Sequence, residues 1–241
     1  MKKPLSGLRV PRYADEWILF CAWTLLLFFA LGEILRYSHI EPFFRVFLVL
    51  LICLIFYLGG YLQKERLDDP TPVRRLFGLF FVLYLYLILT FTLLDPSLGR
   101  AGDSIYGQVS STREAYVERF FNPVPFRSIY HIYIKGFLHG YVNGYYTFLN
   151  LIGNVCAFMP MAFFLPHYFP ALRKWFLFFP AQLLVVVAIE ALQFAFMVGS
   201  CDVDDLILNA GGAFLCYLLL KIPFLKRLLT RLTEGEYRKK S

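Results

Sequence analysis

Four carboxylates and four amides stand where this hydrophobic chain can least accommodate them: Glu190, Asp202, Asp204 and Asp205, with Asn150, Asn154, Gln193 and Asn209. A charged carboxylate at the centre of a bilayer costs roughly 2.5–3.5 kcal/mol even on lenient insertion scales, so such groups are functional candidates. Glu190 is the hardest to explain away. It lies within VVVAIEALQFAF, so it is either protonated through desolvation or turned toward a polar cavity. The spacing pairs these residues by face. Asn150 and Asn154 are i, i+4; Glu190 and Gln193 are i, i+3; Asp202, Asp205 and Asn209 are i, i+3, i+7, each pattern one side of a helix. The chemistry available is general acid–base catalysis by Glu190, Asp205 or Asp202. Asn150, Asn154, Gln193 and Asn209 would orient substrate oxygens, and Arg127 would hold a phosphate. The aspartates also permit, without requiring, Mg²⁺ or Ca²⁺ held through oxygens; no other cofactor is indicated. Plainer roles stand beside these. Asn150 can cap a helix, as can Asp202 or Asp204, while Gln193 and Asn209 can bond between helices.

The elements that carry these residues follow from composition. Of 241 residues 59% are hydrophobic, 19% aromatic and 17% charged, against about half apolar and about a quarter charged in soluble domains. The apolar residues form six blocks: Trp17–Tyr37, Phe43–Leu62, Leu76–Leu94, Leu151–Phe169, Trp175–Phe196 and Leu206–Phe224. Each meets or approaches the roughly 20 residues that cross a bilayer as a helix. A soluble enzyme is excluded, as is an outer-membrane barrel, whose strands alternate over about ten residues. The first block is too long for a signal sequence and lacks a cleavage site, so it reads as an uncleaved span. The fold class expected is therefore all-α, a polytopic bundle of about six transmembrane helices. The five cysteines sit mostly inside spans and read as small apolar residues.

The formal charge of +7 does not point to nucleic acid. Assigning alternate sides puts Lys2, Lys3, Lys64, Arg74, Arg75, Arg173, Lys174 and the Lys226–Lys240 cluster on one face. That asymmetry places both termini in the cytoplasm, with the basic tail against anionic lipid. Residues 1–95 then form a three-span region, 96–118 an extracytoplasmic loop, 119–221 a core with three spans and 222–241 a basic cytoplasmic tail. Gly99–Glu118 reads as a polar linker, and Arg119–Phe148, rich in aromatics, as a segment lying on the outer surface or dipping into it. Glu33 and Arg36 are spaced to pair, Arg45 to snorkel outward, and Gly59–Gly60 and Gly212 to pack helices closely. All eight polar residues fall at the outer end of their spans.

NLIGNVCAFMPMAFFLP (Asn150–Pro166), EALQ (Glu190–Gln193) and GSCDVDDLILNAGG (Gly199–Gly212), with NPVPFRSI (Asn122–Ile129) upstream, resemble the VanZ-like family of bacterial membrane proteins. The resemblance covers about Arg119–Lys221 and implies a polar signature at Asn150, Asn154, Pro160, Glu190, Gln193, Asp202, Asp205, Asn209 and Gly212. Met161, Ser200 and Cys216 depart from the family's usual residues. Some members are linked to teicoplanin resistance. The resemblance thus implies a role in the envelope of the bacterial cytoplasmic membrane, with membrane lipids, a lipid-linked precursor or a lipoglycopeptide as partner. The alternative is a non-enzymatic scaffold or small-molecule binder whose polar residues serve helix packing.

The sidedness is directly testable. In a cysteine-free background, single cysteines at Ser110 and Ser200 should react with an impermeant maleimide from outside the cell, and those at Lys64 and Lys239 should not. Outside labelling at Lys64 would invert the topology.

Overall fold

The structure, a computed structural model, describes residues 13–35, 41–67, 69–94, 112–136, 139 and 144–233. Among them six helical stretches are long and apolar enough to cross a membrane, so this is a multi-pass, all-helical membrane protein. The chain divides into two compact units, one built on residues up to Leu83 with the segment from Leu228 onward, the other on Tyr84–Arg227.

The first unit holds α1 (Ala14–Leu35), α2 (Pro42–Leu67) and the start of α3 (Thr71–Leu89). Ala22, Ile52 and Phe56 form its core, with Leu19, Leu76 and Phe80 packed against them. The glycine pair does what its sequence suggests: a Cβ on Gly59 would meet the Leu19 side chain at 2.8 Å, and one on Gly60 would press on Leu76. Bulky apolar side chains such as Trp17, Phe20, Leu27 and Phe28 point outward, as a hydrocarbon solvent allows. Arg45 does not snorkel outward. It turns in, 8% exposed, and its Nε donates to Glu33 at 3.2 Å, because an ionic group in hydrocarbon gains more from a partner within the protein. Arg36, the expected partner of Glu33, lies outside the described residues. Near the other end of α1, Asp15 meets Arg66 at 2.9 Å.

The second unit begins where α3 loosens into a π-helical turn, Thr90–Leu94. The fourth span is not one helix, as its hydropathy suggests, but α5 (Gly144–Ala157) and α6 (Met161–Tyr168) joined by a turn. Pro160 is the physical cause, since it has no N–H for the preceding turn and its ring crowds that turn's carbonyl. The backbone tightens there, Met161 N bonding to Phe158 O at 3.0 Å, and the Tyr84 hydroxyl donates to the Ala157 carbonyl at 2.8 Å. Helix α7 (Trp175–Phe196) and helix α8 (Val203–Leu220) follow as a hairpin. Phe178 stacks on Tyr217 with centroids 4.2 Å apart, and left-handed Met197 and Gly199 reverse the chain between the two helices.

Of the expected linker Gly99–Glu118, residues 99–111 lie outside the described residues, and Arg113–Glu118 belongs not to a linker but to a helix, α4 (Arg113–Phe120), capped by Thr112, whose side chain accepts from Ala115 N. Its Tyr116 ring packs on Phe194, and Arg113 donates to the carbonyls of Phe194 and Ala195 at 3.4 and 3.3 Å. A cation over the last carbonyls of α7 is where the helix dipole favours it. Two short strands, β1 (Phe121–Asn122) and β2 (Cys201–Asp202), then pair in parallel, Phe121 opposite Cys201 and Asn122 opposite Asp202. Ile129–Gly136 forms a second π-helical segment. Helix α9 (Pro223–Thr233) follows the last span.

Helices α5 and α8 approach closely at Gly212, where a Cβ would overlap the Val155 carbonyl oxygen, whereas Cβ atoms on Gly153 and Gly211 would meet nothing. Gly212→Ala should therefore lower the thermal midpoint of the purified protein, since overpacking costs roughly 1–3 kcal/mol of stability. Gly211→Ala should leave it unchanged or raise it. Equal effects from both would remove the close approach.

Candidate functional site

The site is organised from the Asp202–Asp205 run outward. Asp202 precedes α8 and caps it, its Oδ1 accepting from Asp204 N at 2.9 Å. The same carboxylate accepts from Asn122 Nδ2 at 3.0 Å and from the Ser128 hydroxyl. Asp204 is fully buried, and it caps a different segment. Its oxygens accept from Phe126 N at 2.5 Å, Ser128 N at 2.7 Å and Ile129 N at 3.0 Å, at the start of the π-helical stretch. Three backbone N–H donors are what a desolvated carboxylate needs to stay paired. They also hold Phe126 in a left-handed conformation, φ 63°, which a bulky residue adopts only when its surroundings impose it.

Asp205 points elsewhere. The Asn154 amide of α5 donates to its Oδ1, and the Ser200 hydroxyl lies 3.5 Å from its Oδ2. Asn154 and Asp205 are thus in direct contact across the close α5–α8 approach. Glu190 is buried near the end of α7, within hydrogen-bonding reach of the Cys201 thiol. Burial pushes that thiol up to about 11, and the charges of Glu190, Asp202 and Asp205 add in the same direction. At neutral pH Cys201 is therefore a neutral donor rather than a nucleophilic thiolate.

The remaining candidates divide. Gln193 donates from Nε2 to the Thr92 carbonyl at 2.9 Å, satisfying backbone in the π-helical turn. Asn209 is buried, its Oδ1 without a hydrogen-bond partner among the described residues. Asn150 is exposed, one turn before Asn154; since α5 begins at Gly144, it lies inside that helix and does not cap it. Arg127 is exposed, between two residues whose N–H groups Asp204 holds. The three aspartates diverge, and among the described residues no group of three or more His, Cys, Asp or Glu side chains is placed to hold a metal ion.

Two residues escape a reading based on charge. Cys201 reads as a small apolar residue, yet it stands between Glu190 and the aspartates; its place directly before Asp202 was the available signal. Gln182, inside α7, is fully buried and far from the other polar groups along the chain. It breaks the expectation that all in-span polar residues gather at one end.

A family model described as VanZ/LLP1 matches residues 80–226. The chain belongs to the VanZ/LLP1 family. No curated protein and no solved structure is similar enough to count as a match. The stretch that aligns with the VanZ/LLP1 family nearly coincides with the compact unit Tyr84–Arg227. The whole acid and amide cluster lies within it.

The Cys201–Glu190 contact has a measurable signature. A rise from 9.0 to about 11 leaves about a hundredfold less thiolate at pH 8. With the other four cysteines replaced, Cys201 should react with iodoacetamide at least that much more slowly than a free thiol. Its rate should climb toward pH 11, and Glu190→Gln should speed it at pH 8. A rate indifferent to Glu190→Gln would separate the two groups.

Proposed function

We propose that this VanZ/LLP1 protein resides in the bacterial cytoplasmic membrane with both termini inside. In this reading its acid–amide cluster opens outward and binds, or chemically alters, a lipid-linked envelope molecule or a lipophilic antibiotic. The observation that carries the reading is the Asn154–Asp205 contact, with buried Glu190 bonded to the Cys201 thiol on which Asp205 also acts, so that α5, α7 and α8 each bring a polar group to the neighbourhood of Cys201. Glu190 is the proton-transfer group of this reading, with the neutral Cys201 thiol beside it as donor. Asp205 is held in orientation by Asn154 and Ser200. Asp202 and Asp204 spend their oxygens on the 122–129 loop and position the site. Arg127, exposed between two residues whose N–H groups Asp204 holds, is the cation available to a phosphate or carboxylate of the ligand. Glycopeptide resistance belongs to this reading as the phenotype to examine first.

A non-enzymatic reading has an observation in its favour, since Gln193 is engaged with the Thr92 carbonyl and so serves packing. One substitution separates the two. In a deletion strain complemented with variants, Glu190→Gln should insert at the wild-type level, because it keeps the shape and hydrogen-bonding capacity of the side chain. It should nevertheless fail to restore teicoplanin tolerance and envelope-lipid composition. Glu190→Leu should lose both level and phenotype. Full complementation by Glu190→Gln would defeat proton transfer and leave the cluster as a packing device.

A further inference from the structure

A cleft of about 280 Å³ opens in the first unit between α1, α2 and the start of α3. Leu19 and Trp23 of α1 and Leu76 of α3 line its apolar part, and Gln63, Asp69, Thr71 and Arg75 its polar part. Asp69 and Thr71 stand where α2 has ended and α3 begins, which is headgroup level for the two spans. Asp15 meets Arg66 at the same end, so α1 starts there, and Trp23 lies roughly 14 Å further along that helix. The cleft thus leads from the headgroups into the hydrocarbon. Its charges are opposite and largely uncommitted. Arg66, nearby in the chain, is taken up by Asp15 and Glu16. The Arg75 guanidinium is exposed and, like the Gln63 amide, makes no hydrogen bond or ion pair among the described residues. One oxygen of Asp69 accepts from the Thr71 hydroxyl at 2.6 Å and from Thr71 N at 2.9 Å, which leaves the other free. Those two bonds, with the charges of Arg75 and Arg74 behind them, hold the Asp69 carboxyl below its usual range, so it is ionised at neutral pH.

We propose that this cleft binds the head of a phospholipid carrying a primary amine, phosphatidylethanolamine, with its phosphate on Arg75 and Gln63 and its ammonium on Asp69. A guanidinium meets a phosphate through two parallel N–H donors, and the ammonium supplies the donors that a free carboxylate oxygen accepts. An anionic head would leave Asp69 facing a group of its own sign or a neutral one. The cleft is smaller than the roughly 300–1,000 Å³ that encloses a whole drug-sized ligand. It suits a lipid head whose chains lie outside it, along the surface of Trp23, which is 56% exposed. All these residues precede the stretch that aligns with the VanZ/LLP1 family, so the site differs from the acid cluster in place and in ligand and does not depend on the function proposed for that cluster.

Native mass spectrometry of the full chain, released from detergent containing equimolar phosphatidylethanolamine and phosphatidylcholine with identical chains, tests this. The two lipids differ only in the methyl groups that remove the donors of the ammonium. The wild-type protein should retain the ethanolamine lipid several-fold more than the choline lipid. Asp69→Asn should bring it down to the choline level, because the amide still accepts from Thr71 but carries no charge. Arg75→Gln should lower retention of both lipids several-fold, and Arg74→Gln, next in the chain but outside the cleft, should change neither. The thermal midpoint in lipid-free detergent reports whether each variant folds, and Asp69→Ser, which can also cap α3 without charge, serves should the asparagine lower it. Equal retention of the two lipids by the wild type would overturn the proposal. So would equal losses from Arg74→Gln and Arg75→Gln, or a preference for phosphatidylglycerol over both lipids, as expected of plain attraction to anionic heads.

Discussion

A carboxylate taken out of water has to be given hydrogen bonds by the protein, and much of this unit is arranged around doing so for Asp204. Its oxygens collect the backbone N–H groups of Phe126, Ser128 and Ile129. To make that possible the loop from Asn122 must lie against the start of α8, which the two-residue pairing of β1 with β2 secures. Asp202 reinforces the same junction through Asn122 and Ser128. Once Asp202 and Asp204 are spent in this way, Asp205 is the member of the run turned toward α5. The division of labour among three adjacent carboxylates thus comes from one requirement of desolvation.

The contact between Asn154 and Asp205 depends in turn on backbone proximity. Asparagine has a short side chain, so α5 and α8 must run close together, and Gly212 under the Val155 carbonyl permits it. The break at Pro160 ends α5 one turn beyond Asn154, and Tyr84 takes up the Ala157 carbonyl there. The strained and irregular places in the unit, left-handed Phe126 and Met197 and the two π-helical stretches, all lie on connections that deliver polar residues to the cluster.

Much of this was legible in the residues. Six hydrophobic blocks give the spans because hydrocarbon thickness leaves few other solutions. The i, i+4 and i, i+3 spacings anticipate the contact of Asn154 with Asp205, whereas Asp202 and Gln193, expected on the same faces as Asp205 and Glu190, turn instead to the 122–129 loop and to the Thr92 carbonyl. What escaped notice was of two kinds. The roles of Asp204 and Arg113 depend on pairing between segments about eighty residues apart, for which a two-residue strand carries no periodic signal. Cys201 escaped because a thiol reads as a small apolar residue, and Gln182 because it stands eight residues before Glu190, away from the span ends where the other amides gather; an unpaired buried amide still costs roughly 2–7 kcal/mol. The fourth span lies where hydropathy puts it, and the break within it escaped for a simpler reason: window hydropathy is blind to the missing N–H of Pro160.

The bonds between the 122–129 loop and the start of α8 join residues 74 to 80 positions apart in the chain. At a synthesis rate of about 5–20 residues per second, the loop leaves the ribosome roughly 4–16 s before the aspartates that will hold it. During that interval the fourth and fifth spans must be inserted and the sixth begun. Phe126 has nothing to hold it left-handed until then. The acid cluster therefore cannot assemble before the fourth and fifth spans have been made and the sixth begun.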